Sequence, residues 1–260
     1  MKALVLAAGV GQRLRPLTAT IPKPLLEVGG RPLIHYPLLM LKRAGIRQIA
    51  INTHHLARAM ESALGSGAGL GIEIVWAPEP VLLGTGGPLN ALSGFLRDDA
   101  FVVANSDTIL DLDLSDAIRF HRDRGALATL VIARPDNLEY YSRIEVDPQA
   151  RVRRMRLLKS RAPRDYDDFP PEPPRDSRLE SFMYCGAMIF EPQVLDLIPA
   201  SPPWSLMTGL VGPMVRDGLP VFGYPHRGLM RTIDDLDAYH RVHAEFETAP
   251  PRLGYLNRVV

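Results

Sequence analysis

The sequence contains almost no cysteine, little lysine and no long hydrophobic run. Its single cysteine, Cys185, excludes an intramolecular disulfide and any zinc site built from several thiolates. No apolar stretch reaches the roughly 18 residues of a membrane span, and the apolar opening at residues 3–8 is too short for a signal peptide. These absences predict a cytoplasmic protein that does not enter the membrane.

The charge balance excludes a second class of protein. The 260 residues carry 30 basic and 29 acidic side chains, so no positive field is available to neutralise a nucleic-acid backbone. Only four of the basic residues are lysines (Lys2, Lys23, Lys42 and Lys159), and 26 are arginines. A GC-rich genome is the simplest cause of this bias, but a lysine kept in such a chain also suits a position that needs a compact ammonium group.

The first 135 residues alternate between strand and helix patterns. Short apolar runs predict strands at residues 3–7, 48–52, 72–76, 101–105 and 128–133, and helical spacing predicts helices at 33–43, 56–64, 87–96 and 114–124. Strands separated by helices of this size form βαβ units around a mostly parallel sheet. The fold class predicted is therefore α/β, with one doubly wound, Rossmann-like and mostly parallel sheet.

The second half has a different pattern. Residues 143–146 and 152–158 predict a hairpin, strands follow at 182–190, 221–224 and 229–233, and helices follow at 193–198, 206–217 and 236–247. The Pro-, Asp- and Arg-rich segment 162–178 predicts an exposed, mobile excursion. No linker separates two domains, so we expect one domain over residues 1–260, with halves near 1–135 and 136–248. The tail, 249–260, is expected to pack loosely or to support a contact in a homo-oligomer.

The loop after the first strand carries the strongest chemical signal. It reads Leu6-Ala7-Ala8-Gly9-Val10-Gly11-Gln12-Arg13, and Pro22-Lys23-Pro24 follows. Glycines let backbone N–H groups approach phosphate oxygens, and Arg13 and Lys23 add positive charge. A dinucleotide fingerprint fails because its third glycine position is Leu14, and a P-loop fails because Gly-Lys-Ser/Thr is absent. A plain glycine-rich turn stays as the structural alternative.

This ordered motif, with Pro16-Leu17-Thr18, resembles the signature of the sugar-1-phosphate nucleotidyltransferases. The resemblance implies that a nucleoside triphosphate and a sugar 1-phosphate give a nucleotide sugar and pyrophosphate. It assigns catalysis to Arg13 and Lys23, and nucleotide binding to the loop residues Leu6, Ala7, Ala8, Gly9 and Gly11. It also implies a small mixed appendage that binds the sugar.

Two carboxylates are candidate Mg²⁺ ligands. Asp107 follows a predicted strand at the edge of the sheet that carries the glycine loop, where a hard carboxylate suits Mg²⁺. The alternative role for Asp107 is a helix N-cap or a turn. By resemblance the second ligand falls on Thr232 in one alignment and on Asp234 in another, and we prefer Asp234 because two carboxylates hold Mg²⁺ better than one. Asp235 and Asp237 are candidates for the start of a helix.

The base and sugar positions follow from the same resemblance. Gly84, Thr85 and Gly86 are expected in the base pocket, with a helix-start turn as the alternative. Lys159 and Gly186 are expected near the sugar phosphate, with a solvated strand-end lysine as the alternative for Lys159. Cys185 stands where relatives often carry an amide toward the sugar, and segment 162–178 is a candidate lid.

The function expected is Mg²⁺-dependent nucleotidyl transfer. The alternative is a catalytically weakened homologue that binds sugar nucleotides as a regulatory subunit, although the joint presence of Arg13, Lys23 and Asp107 argues against it. A nicotinamide-dependent dehydrogenase needs an acidic residue after the second strand, and the chain has Asn52-Thr53-His54 there.

Overall fold

The computed structural model describes most of the chain and divides it into two compact units. The described residues are 1–134, 138, 141–158, 166–170 and 178–256. The first unit comprises Met1–Leu82, Val102–Ser115 and Gly228–Val260, and the second comprises Leu83–Phe101 and Asp116–Arg227.

The first unit is built on four adjacent strands in the order β6-β1-β4-β5. Strand β1 pairs in parallel with β4, and β4 pairs in parallel with β5. The middle residues of β1, Ala3, Leu4 and Val5, are fully buried, as a strand covered on both faces requires. The strands are β1 (Lys2–Leu6), β4 (Gln48–Thr53), β5 (Glu73–Pro78) and β6 (Phe101–Asn105, whose first residue belongs to the second unit).

The connection from β1 to the first helix is a folded loop rather than an open one. Three single 3₁₀ turns follow one another (Gln12–Leu14, Leu17–Ala19 and Lys23–Leu25), and two short strands, β2 (Glu27–Val28) and β3 (Arg31–Pro32), then form a hairpin. Buried Leu14 and Leu26 anchor this loop in the same apolar cluster as Tyr36, Val242 and Phe246. The loop therefore has a packed underside, which holds its polar side in one conformation.

The rest of the first unit comprises helices and one small sheet. Strand β7 (Thr108–Leu110) pairs antiparallel with β14 (Met230–Thr232). The helices are α1 (His35–Arg43), α2 (Ala57–Leu64) and α6 (Leu236–Thr248). Left-handed Gly45 (φ 82°) terminates helix α1 two residues after its last residue, and Ile46 N–H donates to Leu41 O as the chain turns toward β4.

The second unit is mainly antiparallel. Its strand order is β11-β10-β9-β12-β8-β13, in which only the pair β8–β13 is parallel among the pairings described. The strands are β8 (Ala128–Ala133), β9 (Arg143–Val146), β10 (Val152–Leu158), β11 (Tyr166–Phe169), β12 (Glu180–Phe190) and β13 (Val221–Pro225). The helices are α3 (Pro88–Leu96), α4 (Leu114–Asp123, mostly in this unit) and α5 (Gly212–Arg216).

The α/β class with a largely parallel and mixed sheet is confirmed, and most predicted elements lie within a few residues of their observed bounds. The hairpin of β9 and β10 is also confirmed. Two details differ. The expected excursion at 162–178 contains strand β11, which pairs with β10, and residues 162–165 and 171–177 of that segment lie outside the described residues. The helix expected at 206–217 begins as a π turn at Met207–Val211.

The described helices are all too short or too polar to cross a membrane.

Candidate functional site

A cavity of about 480 Å³ opens at the end of β1 in the first unit. This volume lies in the usual range for a small-molecule site. Most of the glycine-rich loop contributes to its wall, together with four charged side chains from separate segments. The lining residues are Leu6, Ala7, Gly9, Val10, Gly11, Gln12, Arg13, Leu14, Lys23, Pro24, Ser106, Asp107 and Asp234. Ala8, which we expected with them, is buried and does not line the cavity.

Lys23 and Asp107 form an ion pair in this cavity. Lys23 Nζ donates to Asp107 Oδ2, and the two side chains are only 12% and 27% exposed. Lys23 begins a 3₁₀ turn in which Leu26 N–H donates to Lys23 O at 3.1 Å. Because this turn is anchored by buried Pro24 and Leu26, the ammonium group is held at the cavity wall.

Arg13 and Asp234 form a second, looser pair. Arg13 Nη2 lies 3.6 Å from Asp234 Oδ1, and both side chains are about half exposed. Two cations thus lie beside two carboxylates on one cavity. A bound polyanion can replace the carboxylates as the partner of the two cations, and a metal ion can replace the cations as the partner of the two carboxylates. Each charged side chain then keeps a partner of opposite charge.

Gly9 and Gly11 shape the loop in different ways. A Cβ on Gly9 would meet nothing within 4 Å, so its backbone borders open space. Gly11 has φ 61°, and a Cβ there would lie 2.9 Å from Thr18 Cγ2 and 3.2 Å from Lys23 Cβ. Thr18 Oγ1 also donates to Gly11 O at 2.8 Å. Gly11 is therefore the position where the loop turns tightly against the segment that carries Lys23.

The small sheet of β7 and β14 brings the two carboxylates to one cavity. Thr108 is the register partner of Thr232, and Ile233 N–H donates to Asp107 O at 3.1 Å. Asp107 precedes β7, and Asp234 follows β14. Of the two alignments considered, the structure brings Asp234 to the cavity and leaves Thr232 within the strand.

Asp235 has a different task from its neighbour. Its side chain accepts the backbone N–H of Ala238 at 2.9 Å, so it is the N-cap of α6. Asp235 therefore has the helix-start role for which the sequence made it a candidate. At the other side of this turn, Arg231 Nε and Nη2 donate to the two Glu245 oxygens, each at 2.7 Å. These hydrogen bonds hold the pKa of Glu245 below its ordinary value, while burial opposes the shift.

The carboxylates fit a divalent cation that shares its coordination with a ligand. Among the residues that the structure describes, no cluster of three or more His, Cys, Asp or Glu side chains is placed to hold a metal ion. Asp107 and Asp234 nevertheless supply two hard oxygen donors on the same cavity. Mg²⁺ is commonly held by one or two carboxylates together with substrate phosphates, so this donor set suits a metal that arrives with a triphosphate.

Buried Asn52 connects the ends of three strands, which the sequence reasoning missed. Its Oδ1 accepts from Ala7 N at 2.8 Å, and its Nδ2 donates to Glu79 Oε1 at 2.7 Å. Asn52 is 2% exposed and Glu79 is 6% exposed. The signal in the sequence was a polar residue in an otherwise apolar strand, followed by a glutamate at the end of the next one.

The second unit contains the glycines expected at the base pocket. Gly84 and Thr85 are exposed, whereas Gly86 is buried against the chain's own Trp204 indole. Thr85 Oγ1 accepts from Leu206 N at 3.0 Å, so its side chain does not cap α3. Gly86 therefore packs against the Trp204 ring, and the exposed part of the loop is the backbone of Gly84 and Thr85.

A second cavity, of about 360 Å³, lies within the second unit. Its walls include Ser142, Leu158, Tyr184, Ser205 and Thr208.

The residues expected near the sugar are placed differently from one another. Cys185 is fully buried, which raises the pKa of its thiol to about 12, and the cavity wall is formed by its neighbours Met183 and Tyr184 instead. Gly186 is buried, with φ 84°, where the pairing of β12 with β8 shifts register. Lys159 lies outside the described residues.

Comparison with known proteins gives a consistent family. A family model described as nucleotidyl transferase matches residues 2–207. The chain is 33% identical over 235 residues to a UTP–glucose-1-phosphate uridylyltransferase from Synechocystis, a match that covers 85% of this chain and 57% of the relative. It is 30% identical over 244 residues to a mannose-1-phosphate guanylyltransferase from Mycobacterium tuberculosis, covering 94% and 64%. The chain thus spans less than two thirds of the length of either relative.

A solved structure shares the fold. The crystal structure of HddC from Yersinia pseudotuberculosis superimposes with a TM-score of 0.73 and 17% identity, over 94% of this chain and 99% of that chain. At this identity the likeness concerns the fold alone.

Proposed function

The chain belongs to the nucleotidyl transferase family, and on that premise we propose that it transfers a nucleoside monophosphate from a nucleoside triphosphate to a sugar 1-phosphate. The products would be a nucleotide sugar and pyrophosphate. One observation carries the proposal: Arg13, Lys23, Asp107 and Asp234 converge on a single cavity bordered by the backbone of Gly9 and Gly11. The named activities of the two curated relatives support the same reaction class.

The reaction needs positioning and charge stabilisation rather than a protein nucleophile. A phosphate oxygen of the sugar 1-phosphate attacks the α-phosphorus, and the bond from that phosphorus to the leaving oxygen breaks. The bonding electron pair leaves with pyrophosphate. Lys23 stabilises the negative charge that grows on the α-phosphate oxygens, and Arg13 and the loop N–H groups hold the triphosphate.

The ion pairs of the cavity fit this task. Lys23 is already neutralised by Asp107, and Arg13 lies close to Asp234. The phosphates of the triphosphate replace these carboxylates as partners of the two cations. The freed Asp107 and Asp234 would then hold Mg²⁺, which supplies charge neutralisation to the phosphates when bound.

The remaining roles follow the family resemblance. We assign the exposed backbone of Gly84 and Thr85, with Gly86 behind it, to recognition of the base. We assign the 360 Å³ cavity of the second unit to the sugar, with Gly186 and Lys159 as further candidates near the sugar phosphate.

The test is a pyrophosphate-release screen. Purified protein is given UTP, GTP, dTTP, CTP or ATP with a panel of sugar 1-phosphates and Mg²⁺. We expect one pair to turn over well above the rest. Lys23→Ala should lower that rate by about 10²–10³-fold, the usual effect of removing one charge-stabilising donor.

Lys42→Ala is the matched control, because Lys42 lies on α1 and does not line the cavity. Near-normal turnover in folded Lys23→Ala protein would contradict the catalytic assignment. Tight binding of a nucleotide sugar without turnover of any pair would favour the regulatory homologue instead.

A further inference from the structure

Trp204 packs against the glycine loop at residues 83–87, in which Gly84 and Thr85 are exposed. Trp204 N–H donates to Leu83 O at 3.1 Å, and Gly86 N–H donates to Trp204 O at 2.9 Å. These two backbone bonds join the loop to a segment more than a hundred residues later in the chain. Because the bonds are reciprocal, the loop cannot shift without moving the backbone at Trp204.

The indole ring is held as firmly as the backbone. Its Nε1–H donates to Asn90 Oδ1 at 2.9 Å, and Asn90 Nδ2 donates to Pro199 O at 2.8 Å. Gly86 has no room for a Cβ against the ring, and a Cβ on Gly209 would lie 2.8 Å from it. The ring therefore lies directly on backbone at two places, which a bulkier residue at either place would prevent.

The residues that follow Trp204 connect to the second cavity. Ser205, Met207 and Thr208 line it, while the intervening Leu206 donates its N–H to Thr85 Oγ1 at 3.0 Å. A segment of five residues, 204–208, thus contacts the glycine loop through two of its members and the cavity through the other three. We call this segment the 204–208 strap.

We propose that the 204–208 strap couples the two substrate subsites, with Trp204 as the positioning residue. The proposal rests on the proposed function for assigning the loop to the base and the cavity to the sugar. A sugar phosphate that binds against Ser205 or Thr208 displaces the backbone of the 204–208 strap. That backbone is hydrogen-bonded to Leu83, Thr85 and Gly86, so the glycine loop moves with it. Each ligand then changes the affinity for the other by the same factor, as thermodynamic linkage requires.

The experiment uses Trp204 as its own reporter. The chain has two tryptophans, and Trp76→Phe leaves Trp204 as the sole emitter without touching the strap. Glucose 1-phosphate and mannose 1-phosphate are titrated alone, and we expect the ligand that binds to change the Trp204 emission although the ring does not line the cavity.

The coupling factor is measured by calorimetry. The probes are the α,β-methylene analogues of UTP and GTP, which cannot release pyrophosphate, titrated with and without saturating sugar 1-phosphate. In the Trp76→Phe protein we expect the nucleotide affinity to change about fivefold or more, within the usual range for coupled sites. Trp204→Phe keeps an aromatic ring but loses the bond to Asn90, and we expect its factor to fall to within about twofold of one.

The outcomes separate the two proposals. If both ligands bind, and the factor is one in the parent or is unchanged in Trp204→Phe, the coupling is wrong and the proposed function stands. If none of these ligands binds and no pair of the pyrophosphate-release screen turns over, both proposals fall. If Trp204→Phe fails to fold, the emission of Trp204 in the Trp76→Phe protein decides, and an emission unchanged at saturation contradicts the coupling.

Discussion

Three of the four charged side chains of the 480 Å³ cavity lie within two residues of a residue of the buried core. Arg13 precedes Leu14, Asp234 follows Ile233, and Asp107 is two residues before Ile109; all three apolar residues are at most 1% exposed. They belong to one apolar cluster. A single core therefore fixes segments from three distant parts of the sequence, so their polar neighbours meet at one place.

Substitutions of the adjacent residues Asp234 and Asp235 should have different effects, the first on the magnesium dependence of the rate and the second on stability. We expect Asp234→Asn to raise the Mg²⁺ concentration for half-maximal rate about tenfold or more. Even the loss of a side chain that only hydrogen-bonds to a metal ligand typically lowers metal affinity by about 10–100-fold. Its free energy of unfolding should stay within about 0.5 kcal/mol of the parent. Asp235→Ala removes the cap of α6 and should cost about 1 kcal/mol of stability, with the magnesium titration unchanged.

Steady-state kinetics across a magnesium series and denaturant unfolding measure the two quantities. An unchanged magnesium titration in Asp234→Asn would remove it from the metal site.

Two glycines beside Trp204 should respond differently to the same methyl group. On Gly86 the added Cβ meets the indole ring, whereas on Gly84, with φ 77°, it meets the backbone carbonyl of Trp204. We expect either Ala variant to cost about 1–3 kcal/mol, the usual effect of overpacking. In a Trp204→Ala background Gly86→Ala should become nearly neutral, but Gly84→Ala should keep its cost.

Denaturant unfolding of the six proteins gives the two cycles. An equal cost of Gly86→Ala in both backgrounds would show that the ring is not what excludes a side chain there.

At the scale of elements, the candidate functional residues lie where strands end, and contacts between elements hold those ends together. Asn52 joins the end of β1 to Glu79 beyond β5, and β7 pairs with β14. The two hydrogen bonds from the Arg231 guanidinium to the Glu245 carboxylate, which we call the Arg231–Glu245 fork, join β14 to α6. Asp234 lies in the turn between these two elements. These links pass between elements rather than within one, so local sequence patterns do not reveal them.

The Arg231–Glu245 fork should make stability depend on pH in the acid range. Because the folded pKa of Glu245 is lowered, the pair stabilises the fold above the ordinary glutamate pKa of 4.5 and loses that contribution as pH falls through the folded pKa. A double-mutant cycle of Arg231→Leu and Glu245→Gln, followed by thermal unfolding, should show a coupling at pH 7 that disappears in strong acid. A coupling that persists at pH 2 would mean that packing, and not charge, links the two side chains.

At the scale of the whole molecule, the two units contain different candidate sites. The first unit holds all four charged side chains of the 480 Å³ cavity, and the second holds the glycine loop, the 204–208 strap and the second cavity. Neither unit is continuous in sequence, since the chain enters the first unit three times. Our expectation of one domain with halves divided near residue 135 stays a prediction. Local sequence patterns do not show which distant segments pack together.

The sequence by itself determined the α/β class, most strand and helix positions, and the charged loop that carries Arg13 and Lys23. It could do so because periodicity, turns and a contiguous motif are local properties of a chain. Only the tertiary structure decided that Asp234 and not Thr232 lines the cavity, and that Gly86 lies against Trp204. Those outcomes depend on strand register and on contacts between segments more than a hundred residues apart, which packing selects and local sequence does not encode.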